Sequence, residues 1–258
     1  MAEILEIEWW RLGLAMSLML VPILLLVFYE TGLGKSVLIA GARMIVQLIL
    51  VGVYLEYLFE RNSLLLNGIW IVIMLVVAGM TILRRSELPL LRFLPAVFFA
   101  LALAMLPALG VFLGFVLASP DALHARYIIP ITGMLLGTGL QSGIIGLSKF
   151  RGAMCEKRSY YEYLLACGAN RREALVEFKR DALKAAMSPA IATLSTIGLI
   201  SLPGMMTGQI LGGSAPMEAV KYQIMIMTAI FSGNATALVL AIEFVIRGML
   251  GPDDLPRL

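Results

Sequence analysis

Residues able to do chemistry are sparse in this chain, and few stand where chemistry would need them. Gly34-Lys35-Ser36 has the ending of a phosphate-binding loop. That loop needs another glycine five positions before Gly34 and a strand leading in. Tyr29 stands there instead, at the end of an apolar run, so a tight turn between two apolar segments is expected. Cys155 and Cys167 share one charged stretch without metal-ligand spacing and read as free thiols if that stretch is cytosolic. His124 stands alone, away from any Cys, Asp or Glu cluster, and reads as a surface residue. What remains are polar groups inside apolar runs, Arg43, Gln47, Glu56, Thr138, Gln141, Gln223, Asn234 and Glu243, with Gln209 between two of them. Such groups are costly in hydrocarbon and mark pathways by default. Met134, Met205, Met206, Met225 and Met227 add thioethers, which favour soft ions such as copper(I) and equally fill irregular cores.

The elements that position these residues follow from composition. The chain has 258 residues, 60% of them apolar and 14% charged, with a mean hydropathy of +0.92. A soluble domain carries about 25% charged residues, and a globule of this size could not hide so much apolar surface. The apolar runs are long and unbroken, which argues against a transmembrane barrel. Seven runs approach the roughly 20 residues that cross a bilayer: 9–29, 37–59, 64–83, 93–117, 127–147, 185–202 and 222–246. Glu3, Glu6 and Glu8 precede the first run in place of a basic signal-peptide start, so it is expected to be retained. With the N-terminus outside, fifteen Lys and Arg fall in inner segments and four in outer ones. The positive-inside rule then fixes the N-terminus outside and the C-terminus in the cytosol. The expected fold is an all-α integral membrane protein, a single domain over 1–258, with about seven transmembrane helices. Gly133-x-x-x-Gly137 and Gly139-x-x-x-Gly143 allow close backbone approach, either inside one bundle or at a homodimer seam.

One cytosolic segment is large. Ser148–Lys184 is charged and helical in pattern, with a short helix over 159–167, a stop at Gly168 and a second helix capped by Asn170 and Glu173. Its Glu162 to Gly168 spacing, followed by Ala169, resembles the E-A-A-x-x-x-G element by which permeases of ATP-binding-cassette transporters touch their ATPases. Tyr163 and Leu164 replace the two alanines. Further motifs occur in order: Gly41-Ala-Arg43-x-x-x-Gln47-Leu48, Ile129-Pro130-Ile-Thr-Gly133-Met134, Arg180-Asp181, Ser201-Leu-Pro-Gly-Met-Met-Thr-Gly208 and Lys221-Tyr-Gln-Ile224. Together they resemble the permease family of the bacterial iron-export ABC transporter (FetB-like), to which plant aluminium-tolerance half-transporter permeases also belong. Thr138 and Ala215-Pro216 depart from that pattern, where the family usually has Asn and often Asp-Pro. Both changes remove an oxygen or charge that a cation could use.

The resemblance implies a cell (inner) membrane permease subunit exporting iron or another metal species. Two copies would pair with two separate ATPase subunits, which hold the ATP and Mg; this chain would bind no cofactor itself, catalyse nothing alone and contact no nucleic acid. ATPase coupling is expected at Tyr161, Glu162, Ala166, Gly168, Ala169, Arg171 and Arg172. The expected substrate pathway takes Arg43, Gln47, Met134, Thr138, Met205, Met206, Gln209, Gln223 and Glu243. Arg43 lies about 12 Å into its span and suits a chelated metal, an anion or a structural role. Glu243 would neutralise Arg43 across the bundle or pair with Arg247 four residues on. No residue pattern identifies a metal site. The rival readings are an importer permease for a different small solute, an ATP-independent secondary transporter or channel, and a membrane scaffold that recruits a soluble protein.

Overall fold

The structure, a computed structural model, describes residues 8–61, 63–117 and 124–251. Glu3, Glu6 and Arg257 lie outside the described residues. The chain divides into two compact units, Met1–Asn62 with Leu211–Gly213, and Ser63–Ile210 with Ser214–Leu258.

In the first unit, α1 (Trp9–Ser17) and α2 (Leu20–Phe28) share one apolar run that breaks at Leu18–Met19. Pro22 explains the break. Its ring lacks an N–H and crowds the carbonyl four residues earlier, that of Leu18. The Leu18 carbonyl accepts instead from Val21 N–H, a tighter turn. A turn with Glu30 at φ 50° and Gly32 at φ 71° leads into α3 (Gly34–Arg61). Gly34-Lys35-Ser36 is thus the first turn of a long helix. The Met19 side chain fills the space left by Gly41.

The second unit holds α4 (Leu64–Arg85), α5 (Leu90–Val111, continued by a wider π-helical stretch over Phe112–Leu117), α6 (Ala125–Glu156), α7 (Arg158–Ala166), α8 (Arg171–Thr196), α9 (Gly204–Leu211, all but its last residue) and α10 (Pro216–Met249). The helix α10 packs on α5 and α6, and α6 packs on α4 and α8. Val97, Ala100, Leu101, Ala104 and Met105 form a buried stripe on α5. Ala237, Leu238, Ala241, Ile242 and Val245 form another on α10. Both follow the i, i+3, i+4, i+7 rhythm of a helix with one face inward. Leu91, Phe99 and Leu103 point outward, as a lipid-facing surface requires.

The glycines of α6 set the closeness of packing. Gly139 admits Asn234 and Met105, Gly143 admits Ile82, and Gly146 admits Leu238 and Ala186. Nothing lies within 4 Å of a methyl placed at Gly137. Within this unit the small-residue stripe from Gly139 to Gly146 therefore serves internal packing.

Among the described residues, six helical segments are long and apolar enough to cross a bilayer. The remaining expected run, 185–202, is the second half of α8 followed by the turn before α9. The helix continues unbroken from the charged segment through Pro189 into that run, so charged and apolar halves share one rod.

Candidate functional site

The charged segment folds as a helical hairpin. Two side-chain and backbone devices fix its corner within three residues. At the end of α7, Gly168 takes φ 92°, its N–H donates to Leu165 O at 3.0 Å, and Ala169 N–H donates to Leu164 O at 3.0 Å. This is a Schellman stop, which needs a left-handed residue at Gly168. Then Asn170 caps α8: Glu173 N–H donates to Asn170 Oδ1 at 3.0 Å, and Asn170 N–H donates to Glu173 Oε2 at 2.8 Å. The reciprocal bonds form a capping box.

Packing sets the angle of the hairpin. Tyr161 is fully buried and meets Phe178 of α8 edge-to-face, ring centres 6.2 Å apart. Lys157 pairs with Glu177 at 3.2 Å, a link between the two arms. Arg158 and Glu162 pair along α7 at 2.8 Å. The outward face carries Tyr160 and Tyr163, both exposed, with Ala166, Gly168 and Arg172 also exposed. Tyr161 thus points inward as a wedge, while its neighbours Tyr160 and Tyr163, three apart, offer aromatic surface. Sequence reasoning missed this pair because the choice of face depends on where Phe178 lies. Cys155 and Cys167 are free and exposed.

The arm α8 also caps α10. Arg171 donates to Ile246 O at 3.1 Å, and Arg92 of α5 donates to Gly248 O at 2.6 Å. Ile246 O also accepts from Leu250 N–H, and the carbonyl end of a helix carries partial negative charge, so guanidinium groups suit it. Glu243 pairs with Lys179 at 2.5 Å. This corrects the expectation of a local Arg247 partner for Glu243, whose carboxylate goes to α8. Arg247 lies instead over the Phe244 ring. Here a partner on another helix, invisible to i, i+4 spacing, replaces the local one.

A cleft of about 170 Å³, mostly apolar but studded with polar side chains, opens between α6, α8 and α10. Thr138, Gln141 and Ser142 line it from α6, Thr193 from α8, and Met227 and Asn234 from α10. Asn234 is 3% exposed, and its Oδ1, packed beside Gly139, has no hydrogen-bond partner. The Thr138 and Thr193 hydroxyls donate to Met134 O and Pro189 O on their own helices, which leaves their lone pairs as acceptors. A second cleft, about 360 Å³, shares Leu194, Met227 and Phe231 with the first and extends to Gln223, Thr228 and Ser232. The two are contiguous along the seam of α8 and α10. Gln223 and Asn234 are eleven residues apart on α10, a rise of about 16 Å.

Of the expected pathway residues, the structure places Thr138 and Gln223 on this seam, together with Gln141 and Asn234. Ser142 and Thr193 were missed, since a hydroxyl in an apolar run gives little signal by itself. Glu243 lies in a separate, charged pocket. Met134 is on α6, outside both linings, and Met205, Met206 and Gln209 are on α9, with the Gln209 Oε1 buried and unpartnered. Arg43 and Gln47 are on α3, in the first unit. Asn67, 1% exposed with both amide atoms unpartnered, is a further buried amide that sequence reasoning overlooked.

Six membrane-length apolar helical segments among the described residues define a multi-pass membrane protein. Residues 9–250 match the uncharacterised protein family UPF0014, and the chain belongs to that family. It is 31% identical to the UPF0014 membrane protein slr1647 of Synechocystis sp., over 95% of this chain and 94% of that one. It is 28% identical to the probable iron export permease protein FetB of Escherichia coli, over 91% and 90% of the two chains. Against the protein ALUMINUM SENSITIVE 3 of Arabidopsis thaliana it is 30% identical, over 83% and 77%. No solved structure matches it.

Proposed function

We propose that the chain is the membrane-spanning permease subunit of an inner-membrane ABC transporter that exports iron or another metal species. A separate ATPase subunit hydrolyses ATP with its Mg. Two copies of this chain pair with two ATPases. The observation that carries this reading is the hairpin of α7 and α8: a short helix with an exposed aromatic face, set at a fixed angle and continuous with a rod that lines the cleft. A push on α7 passes through the Tyr161–Phe178 contact and the Gly168 corner into α8. It then reaches Pro189 and Thr193 at the cleft. The name of the FetB relative supports export and iron as the cargo.

In this reading Tyr160, Glu162, Tyr163, Ala166, Gly168, Ala169 and Arg172 meet the ATPase, while Tyr161 and Arg171 hold the hairpin in shape. Thr138, Gln141, Asn234 and Gln223 give the cargo neutral oxygens along its path. The test is affinity purification of the tagged chain in mild detergent, with ATP hydrolysis measured in the eluate. An ATPase that co-purifies with wild type and is lost with Tyr160→Ala, Tyr163→Ala is expected. A chain that purifies alone from its native membrane, or a double variant that retains the ATPase, would contradict the docking role.

A further inference from the structure

The cleft between α6, α8 and α10 also constrains the form in which a metal could occupy it. Thr138 of α6, Thr193 of α8 and Asn234 of α10 line it. The Thr138 and Thr193 protons are committed to Met134 O and Pro189 O, at 2.9 and 3.0 Å. The Asn234 side chain is buried, and its Oδ1 has no partner. Each of these three oxygens can therefore only accept a hydrogen bond. A buried acceptor left unmet costs free energy, and native proteins normally supply it with a partner. Whatever meets these oxygens must donate.

Depth and size narrow the donor. Asn234 is thirteen residues from Lys221 and nine from Glu243, with no charged residue of α10 between them. Those separations are about 20 Å and 13 Å along the helix, which places Asn234 well inside a hydrocarbon layer about 30 Å thick. A volume of about 170 Å³ has room for about six waters, the shell of an octahedral aqua ion. Amide and hydroxyl oxygens replace that shell poorly around iron, which imidazole suits better. They are good acceptors for metal-bound waters, whose protons are polarised by the cation and point outward on all sides. A metal that keeps its waters can donate to three helices at once. Its charge is also spread over a larger radius, which lowers the cost of leaving bulk water.

We propose that the cleft binds its metal as a hydrated divalent cation, held through the water shell by Thr138, Thr193 and Asn234, with no bond from protein to metal. This deepens the transport reading and rests on it for the cargo, and it names the state in which that cargo is carried.

The experiment is calorimetric titration of the purified chain in detergent with iron(II), without oxygen, followed by competition with hexaamminecobalt(III). That complex has the size and shape of an aqua ion, presents N–H donors on all sides and does not exchange its ligands. It should displace iron(II) completely. Thr138→Val with Asn234→Leu should weaken both ions alike, by at least about tenfold, because hydrogen bonds to a charged ligand are worth that much. Thr138→Val alone, isosteric and at an exposed position, serves if the double variant does not fold. Thr236→Val, on α10 but outside this cleft, should bind as wild type, and so should Met227→Leu, which removes a thioether from the lining. Failure of either ion to bind would overturn the proposal. So would unaltered affinity in the cleft variants, an equal loss in Thr236→Val, or a loss in Met227→Leu, which would mean direct coordination. The two readings fail separately. Iron(II) that the cobalt complex cannot displace would remove the hydrated ion and leave ATP-driven transport standing. A chain that binds both ions and shows no ATP-driven efflux with its ATPase would remove the transport reading and keep the site.

Discussion

Gly168 is the residue on which the hairpin turns. At φ 92° a side chain is strained, and a β-branched one most of all. Gly168→Val should cost about 1–2 kcal/mol locally and open the corner, while Gly168→Asn, which tolerates the left-handed region, should cost less. In the transport reading the first variant keeps membrane insertion and loses ATP-coupled efflux, and the second keeps both. Equal efflux from Gly168→Val and wild type would contradict the role of the corner. Tyr161→Ala removes a fully buried aromatic and should destabilise the fold by about 3–5 kcal/mol, read as a lower melting temperature in detergent. Tyr160→Ala, at an exposed position, should leave that temperature unchanged. The ion pair of Lys179 and Glu243 makes a separate prediction. Either charge reversal alone should lower folded yield, and Lys179→Glu with Glu243→Lys should restore it. A swap no better than the single variants would mean that the pair is not the constraint.

At the scale of elements, the glycine stripe of α6 predicts an ordered set of effects. Gly146→Val would collide with Leu238 and crowd Ala186, and overpacking of this kind costs about 1–3 kcal/mol or more. Gly137→Val meets open space within the chain and should fold normally, which monodispersity on size exclusion would report. Much of this element layout was legible in advance, because hydrocarbon imposes long uncharged runs and helix ends carry local capping signals. The runs at 37–59 and 64–83, the Gly168 stop and the Asn170–Glu173 capping box all needed only neighbours in sequence. The break at Leu18–Met19 was legible in principle, through Pro22, but hydropathy averages over it. Which residues gather at the cleft was not legible, since Thr138, Thr193 and Asn234 come from three helices whose rotation is set by packing. The expected Arg247 partner of Glu243 failed for the same reason: charge spacing along one helix says nothing about Lys179 on another.

For the whole molecule, the transport reading joins a cleft that carries polar side chains to a helical hairpin through one continuous helix. Loss of polar groups in the seam should lower transport without loss of the ATPase, so Asn234→Leu with Thr138→Val should retain co-purified ATP hydrolysis but reduce efflux at least about tenfold, as expected when a buried path loses the groups that stabilise its cargo. The most direct test uses vesicles loaded with iron(II), with the chain present alone or together with the ATPase that co-purifies with it. The account predicts that ATP drives iron movement against its gradient only when both are present, and that Gly168→Val abolishes it. Uphill movement by the chain alone would contradict it.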